Sequence, residues 1–133
     1  MIRFSYLIFF IFAFSMAMWA CTNQKKDKFP NLSSEAFEEF ISNKNVQILD
    51  VRTAAEYAEG HIEGSKNIDI YNPDFAEIAA KELDPSRPVA IYCKSGRRSR
   101  NAANILADKG FKIYNLDKGI TGWIEDGMAV VTD

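Results

Sequence analysis

Val89-Ala90-Ile91-Tyr92 is apolar at every position, with no alternation. A strand with one face in water alternates apolar and polar residues. A run without alternation belongs inside a parallel sheet whose two faces are both covered by helices. This run leads directly into Cys93-Lys94-Ser95-Gly96-Arg97-Arg98-Ser99, and then into a helix-like stretch from Ser99 to Lys109. Ala102, Ala103, Ile105 and Leu106 form the apolar stripe of that helix. The unit is strand, loop and helix, with a cysteine at the carboxyl end of the strand.

The flanking segments repeat the alternation. Leu32-Ser33 opens a helix that Ser33 caps, with Leu32 positioned to staple against Phe37, and Phe37, Phe40 and Ile41 follow helical spacing. Val46 to Val51 is a β-rich run and a central strand. Thr53 caps a short helix through Glu59, and Gly60 suits its end. His61 to Ser65 is a loop, with a short strand near Lys66 to Ile68. Asn72-Pro73-Asp74 starts a helix whose apolar positions are Phe75, Ile78, Ala79 and Leu83. Phe111 to Leu116 is a further strand, and Gly119 to Asp126 a terminal helix around Trp123. Strands alternating with helices predict an α/β fold with a mostly parallel central sheet and helices on both faces. Ligands of such sheets bind outside the carboxyl ends of the strands, where Cys93 sits.

The chain of 133 residues is long enough for one domain with a real core. Residues 1–20 carry one charge, Arg3, followed by an uncharged apolar run, which is the pattern of an export signal. It ends at Met18-Trp19-Ala20-Cys21, similar to a bacterial lipoprotein processing site, so Cys21 is expected to be the lipidated N-terminus. Met18 and the bulky Trp19 depart from the usual residues there. Residues 21–31 are polar and read as a tether, and residues 32–133 as the domain. The expected location is outside the cytoplasm, anchored to a membrane through Cys21. Without Arg3 the balance is 15 basic to 18 acidic side chains, which gives no support for a nucleic-acid partner.

The cysteine count then constrains the chemistry. With Cys21 acylated, Cys93 is the only free thiol, and neither an internal disulfide nor a dithiol centre is open to the chain. A lone, exposed cysteine in an oxidising compartment is expected to do chemistry. Lys94, Arg97, Arg98 and Arg100 cluster around it, with no acid between Asp84 and Asp108. A glycine-bearing loop that opens a helix brings backbone N–H groups to an anion and favours thiolate over thiol. No ligand cluster calls for a metal or cofactor.

Three segments together resemble the rhodanese family: Asp50-Val51-Arg52 with Glu56-Tyr57 and Gly60-His61-Ile62, then Tyr92 to Ser99, then Lys118-Gly119 with Trp123 and Gly127. The resemblance covers roughly residues 32–131 and is strongest to single-domain, exported members. It implies a sulfurtransferase in which Cys93 attacks a sulfane sulfur donor such as thiosulfate, holds the sulfur as a persulfide and passes it to cyanide or a thiol. Lys94, Ser95, Gly96, Arg97, Arg98 and Ser99 would form the active-site loop. The N–H groups of residues 94–98 would cradle the persulfide, Ser99 would cap the following helix, and the cations would draw in the anionic donor. Asp50, Arg52 and His61 are expected to be structural, with Arg52 pairing an acid such as Glu56. Lys94 stands where the family often has Arg, Ser65 where it often has Ala, and Lys118 where it often has Gly. Two alternatives differ in kind. One is a persulfide carrier serving a partner protein. The other is a cysteine phosphatase, whose loop has five residues between Cys and Arg, whereas Cys93 and Arg98 have four between them.

Overall fold

The computed structural model describes residues 26–133. The leader and Cys21 lie outside the described residues. Among the described residues no helix is long and apolar enough to cross a membrane.

Five parallel strands form one sheet. In chain order the elements are β1 (Asn31–Leu32), α1 (Ser34–Ile41), β2 (Gln47–Asp50), α2 (Ala54–Glu59), β3 (Lys66–Asn67), α3 (Phe75–Glu82), β4 (Val89–Tyr92), α4 (Arg97–Asp108), β5 (Ile113–Leu116) and α5 (Gly119–Glu125). Across the sheet the order is β1-β5-β4-β2-β3. The predicted apolar run is therefore the central strand, paired with β2 on one side and β5 on the other. All four of its residues are fully buried.

The two faces of β4 feed two cores. Val89 and Ile91 pack with Phe75, Ala79, Ala102, Ala103 and Leu106, the inward residues of α3 and α4. Ala90 and Tyr92 face Phe37, Ile120 and Trp123, from α1 and α5. Each large apolar side chain so buried contributes about 1.5–3 kcal/mol, enough for a domain of this length to stand on its own core. Phe37 meets both Tyr92 and Trp123 edge-on, with centroids 6.5 and 6.0 Å apart.

The capping chemistry predicted for α1 and α2 is present. Ser33 Oγ accepts from the Ala36 N–H at 3.2 Å. Thr53 and Glu56 form a reciprocal capping box. Two expectations change. The folded unit begins before residue 32: Phe29 is buried in the α3/α4 core, and Asn31–Leu32 pairs with Asn115–Leu116 as an edge strand. Two residues of strand are too short for a periodic signal, so Asn31 falls in the expected tether and Leu32 at the expected helix opening. Ser99 does not cap α4. The cap is Gly96 in a left-handed conformation, φ 95°, and Ser99 lies a turn inside, its hydroxyl donating to the Gly96 carbonyl at 3.1 Å.

Candidate active site

Chain reversal sets the location. From β2 the chain moves to β3 on one side, then crosses back to β4 and β5 on the other. The crevice at the carboxyl ends of β2 and β4 is thus the topological switch point, where open α/β sheets bind ligands. Asp50-Val51-Arg52 leaves β2 there and Cys93 leaves β4.

Cys93 is completely buried rather than exposed. Its side chain packs in the α3/α4 core, and its Sγ accepts a hydrogen bond from the Gly96 N–H at 3.1 Å. That donor is the cap of α4, whose first-turn N–H groups have no carbonyl behind them within the helix. The sulfur therefore faces the positive end of a twelve-residue helix.

The loop is held from behind by α5. Ile120 N–H donates to the Cys93 carbonyl at 2.9 Å, and Thr121 N–H to the Lys94 carbonyl at 3.1 Å. This approach leaves no room for side chains. A Cβ on Gly96 would collide with the Asp117 carbonyl, and one on Gly119 (φ 62°) with the Lys94 carbonyl. Gly119 is part of the third motif, and its contact with the loop explains why that motif and the cysteine loop belong together.

The cations around Cys93 divide into committed and free. Arg98 forms a two-pronged pair with Glu56, Nη1 to Oε1 at 2.7 Å and Nη2 to Oε2 at 2.8 Å. Its guanidinium also lies 5.6 Å from the Tyr71 ring centroid. The Glu56 bond raises the Arg98 pKa, and the nearby Cys93 adds to it. Arg100 pairs with Asp117 at 2.6 Å. Lys94, Ser95 and Arg97 are exposed, and neither Lys94 nor Arg97 has an ion-pair partner among the described residues.

Arg52 does not take the partner expected of it. It is 5% exposed and binds Asp50, two residues back, with Nε at 3.0 Å from both carboxylate oxygens and Nη2 at 2.6 Å from Oδ2. Its remaining Nη2 bond goes to the Gly60 carbonyl at 2.7 Å. Burial works against the guanidinium charge, but the Asp50 bonds outweigh it and the pKa is raised. Asp50 also accepts the Arg52 backbone N–H at 2.9 Å, and Asn67 donates to the Asp50 and Arg52 carbonyls. Glu56 was free for Arg98 because Arg52 could turn back on its own strand, a short-range choice that spacing does not reveal.

His61 is buried and takes its side-chain partners from α2 and the C-terminal segment. Its ring stacks on Tyr57 with centroids 3.7 Å apart, Nδ1 lies 2.8 Å from the Tyr57 carbonyl, and Nε2 lies 3.0 Å from the Asp133 carboxylate. Its backbone pairs with Val131 in both directions at 2.9 Å. It ties the C-terminal segment to the loop before β3. Tyr92 closes the apolar strand, yet its hydroxyl accepts from the Ile62 N–H and bonds Ser65 Oγ, each at 3.0 Å. Burial pushes its phenol pKa up. Ser65, where the family often has Ala, thus has a defined partner.

A family model for the Rhodanese-like domain matches residues 33–126. The chain belongs to the rhodanese-like domain family. Among relatives of this rhodanese-like chain, the thiosulfate sulfurtransferase GlpE of Shewanella oneidensis is 35% identical over 98 residues, covering 73% of this chain and 94% of that protein. The putative sulfur carrier protein YrkF of Bacillus subtilis is also 35% identical, over 77% of this chain and 55% of its own. A tRNA uridine(34) hydroxylase of Chlamydia abortus is 36% identical, but this chain spans only 32% of it. The crystal structure of a rhodanese-related protein from Thermoplasma volcanium superposes with a TM-score of 0.70 at 31% identity, covering 79% of this chain and all of that one. The expected fold class is thus the observed one. At family level these relatives support sulfur transfer.

The Glu56–Arg98 pair that braces the rhodanese loop has a pH signature. Arg98 hydrogen bonding holds the Glu56 carboxyl down at about 2, against an ordinary 4.5. A depressed folded-state pKa contributes stability that is fully present above 4.5 and lost as pH falls toward 2. The melting temperature of the wild type should therefore exceed that of Glu56→Gln at neutral pH, and the gap should close between about pH 4.5 and 2. A gap that stays constant across that window would show that the pair is not what Glu56 contributes.

Proposed function

We propose that the protein is a sulfurtransferase that takes sulfane sulfur from a small anionic donor such as thiosulfate and delivers it to cyanide or a thiol through a Cys93 persulfide. The observation that carries this reading is the position of Cys93 Sγ, bonded to the Gly96 N–H at the N-terminus of α4. In the first half-reaction the thiolate attacks the outer sulfur of thiosulfate. A new S–S bond forms at Cys93, the donor S–S bond breaks, and sulfite leaves with the electron pair. In the second, an acceptor nucleophile attacks the outer persulfide sulfur and Cys93 leaves as thiolate. The Gly96 N–H donates to the sulfur through which both half-reactions pass. The exposed, unpaired Lys94 and Arg97 attract the anionic donor.

The phosphatase alternative is disfavoured by loop and partner alike. Four residues separate Cys93 from Arg98, and the Arg98 fork is occupied by Glu56 rather than free for a phosphate. The carrier alternative draws on the complete burial of Cys93 and on likeness to a putative sulfur carrier. Purified protein should turn over thiosulfate and cyanide to sulfite and thiocyanate. A stable persulfide with negligible turnover would favour the carrier, and Cys93-dependent hydrolysis of an aryl phosphate the phosphatase.

We further propose export and anchoring to a membrane by lipid on Cys21, from the apolar leader and the Ala20-Cys21 junction. Mass spectrometry of protein extracted from membranes should find the chain starting at an acylated Cys21. An intact leader or an unmodified Cys21 would overturn this.

A further inference from the structure

A larger cavity, about 670 Å³, lies by the amino ends of the strands, bordered by Gln47, Leu83 and Arg87, away from the thiol. A smaller one, about 260 Å³, lies at the switch point itself, between α2 and α5. Its wall includes Ile120 and Thr121, whose N–H groups bond the Cys93 and Lys94 carbonyls. Ile124 and Val130, two of the three exposed large hydrophobic side chains among the described residues, form its apolar side. Four charged side chains also border it. Two are already neutralised, Arg52 by Asp50 and Glu56 by Arg98. The other two, Lys94 and Glu59, have opposite sign and no ion pair among the described residues, with each other or with anything else.

We infer that this cavity is the acceptor subsite and that it takes a small thiol of amino-acid type. The carboxylate meets Lys94, the ammonium meets Glu59, and the carbon chain lies against Ile124 and Val130. Two separated opposite charges on an apolar wall complement a zwitterion better than an anion, which Glu59 repels, or a cation, which Lys94 repels. A cavity of about 260 Å³ has room for a small amino acid, so cysteine itself is the probe. The inference rests on the sulfurtransferase reading. In the step concerned, the acceptor thiolate attacks the outer sulfur of Cys93–S–SH. The acceptor S–S bond forms, the Cys93 Sγ–S bond breaks, the proton stays on the transferred sulfur, and Cys93 departs as thiolate.

The test isolates the second half-reaction. Protein is loaded with thiosulfate, freed of donor, and mixed in single-turnover experiments with cysteine, cysteamine (no carboxylate), 3-mercaptopropionate (no ammonium) or 2-mercaptoethanol (neither), while loss of the persulfide is followed. Comparing each variant with wild type for the same thiol cancels that thiol's intrinsic reactivity. Glu59→Gln should slow discharge to cysteine and cysteamine roughly threefold relative to the other two, the factor expected of a partly exposed ion pair. Lys94→Gln should do the same for cysteine and 3-mercaptopropionate. Uniform changes across the four thiols, or none, would overturn the acceptor inference while leaving sulfur transfer intact. Failure to load any persulfide would instead overturn the sulfurtransferase reading on which it rests.

Discussion

Cys93→Ser should abolish thiosulfate-to-cyanide turnover, with a loss of at least about 10⁴-fold, the scale seen when a covalent nucleophile is removed. The loss is chemical and not structural. The serine hydroxyl has nearly the thiol's shape and can accept the same Gly96 N–H bond that Sγ accepts at 3.1 Å. It therefore enters a fully buried position with a partner waiting. Neighbouring Ala102 and Ala103 keep their places, and the variant should melt within a few degrees of wild type, because one bond is exchanged for another. What serine cannot do is carry sulfur: an alcohol is not ionised at neutral pH and forms no persulfide. Activity assay and thermal melt on the same sample separate the two. Turnover surviving in a folded Cys93→Ser protein would refute the nucleophile assignment.

Asp50→Ala should be the most destabilising single substitution near the site. It leaves the Arg52 guanidinium at 5% exposure without its anion, and breaking a buried pair from one side costs about 3–5 kcal/mol. It also removes the acceptor of the Arg52 backbone N–H. Against a total stability of about 5–15 kcal/mol for such a domain, the melting temperature should fall by roughly 15 °C or more. Removing both charges in Asp50→Ala/Arg52→Met should recover part of that loss, since the stranded charge is then gone. A single variant as stable as wild type would show that the Asp50–Arg52 pair does not hold the end of β2. Turnover at low temperature, where the variant is still folded, should change far less than stability, because both groups bond each other and Gly60 rather than the thiol.

Much of this arrangement was legible in the sequence because it is local. The unbroken apolar run of Val89 to Tyr92 required a covered parallel strand. Ser33 and Thr53 announce their caps by position, whereas the part Glu56 plays in the second cap is visible only in the structure. What spacing could not reveal was any choice between partners far apart in the chain. Glu56 and Arg98 are 42 residues apart, and their pairing depends on Arg52 having turned to Asp50. Gly119 starts α5 as its position suggests, but only the structure shows the Lys94 carbonyl that leaves no room there for a Cβ. Ser99 had the composition of a cap, yet Gly96 supplies the left-handed turn that places its own N–H on the sulfur. Cys93 is expected to be exposed as a lone thiol at a loop, whereas the residue is completely buried. β1 was missed because an edge strand of two residues has no period to read.

In the proposed reaction Cys93 itself holds the sulfur in transit. Intact-protein and peptide mass spectrometry after brief exposure to thiosulfate tests it most directly. The expected result is a mass increase of one sulfur atom, confined to the peptide containing Cys93, absent in Cys93→Ser, and reversed by cyanide with release of thiocyanate. A protein that forms thiocyanate while Cys93 stays unmodified throughout, or that carries the sulfur on another residue, would contradict it.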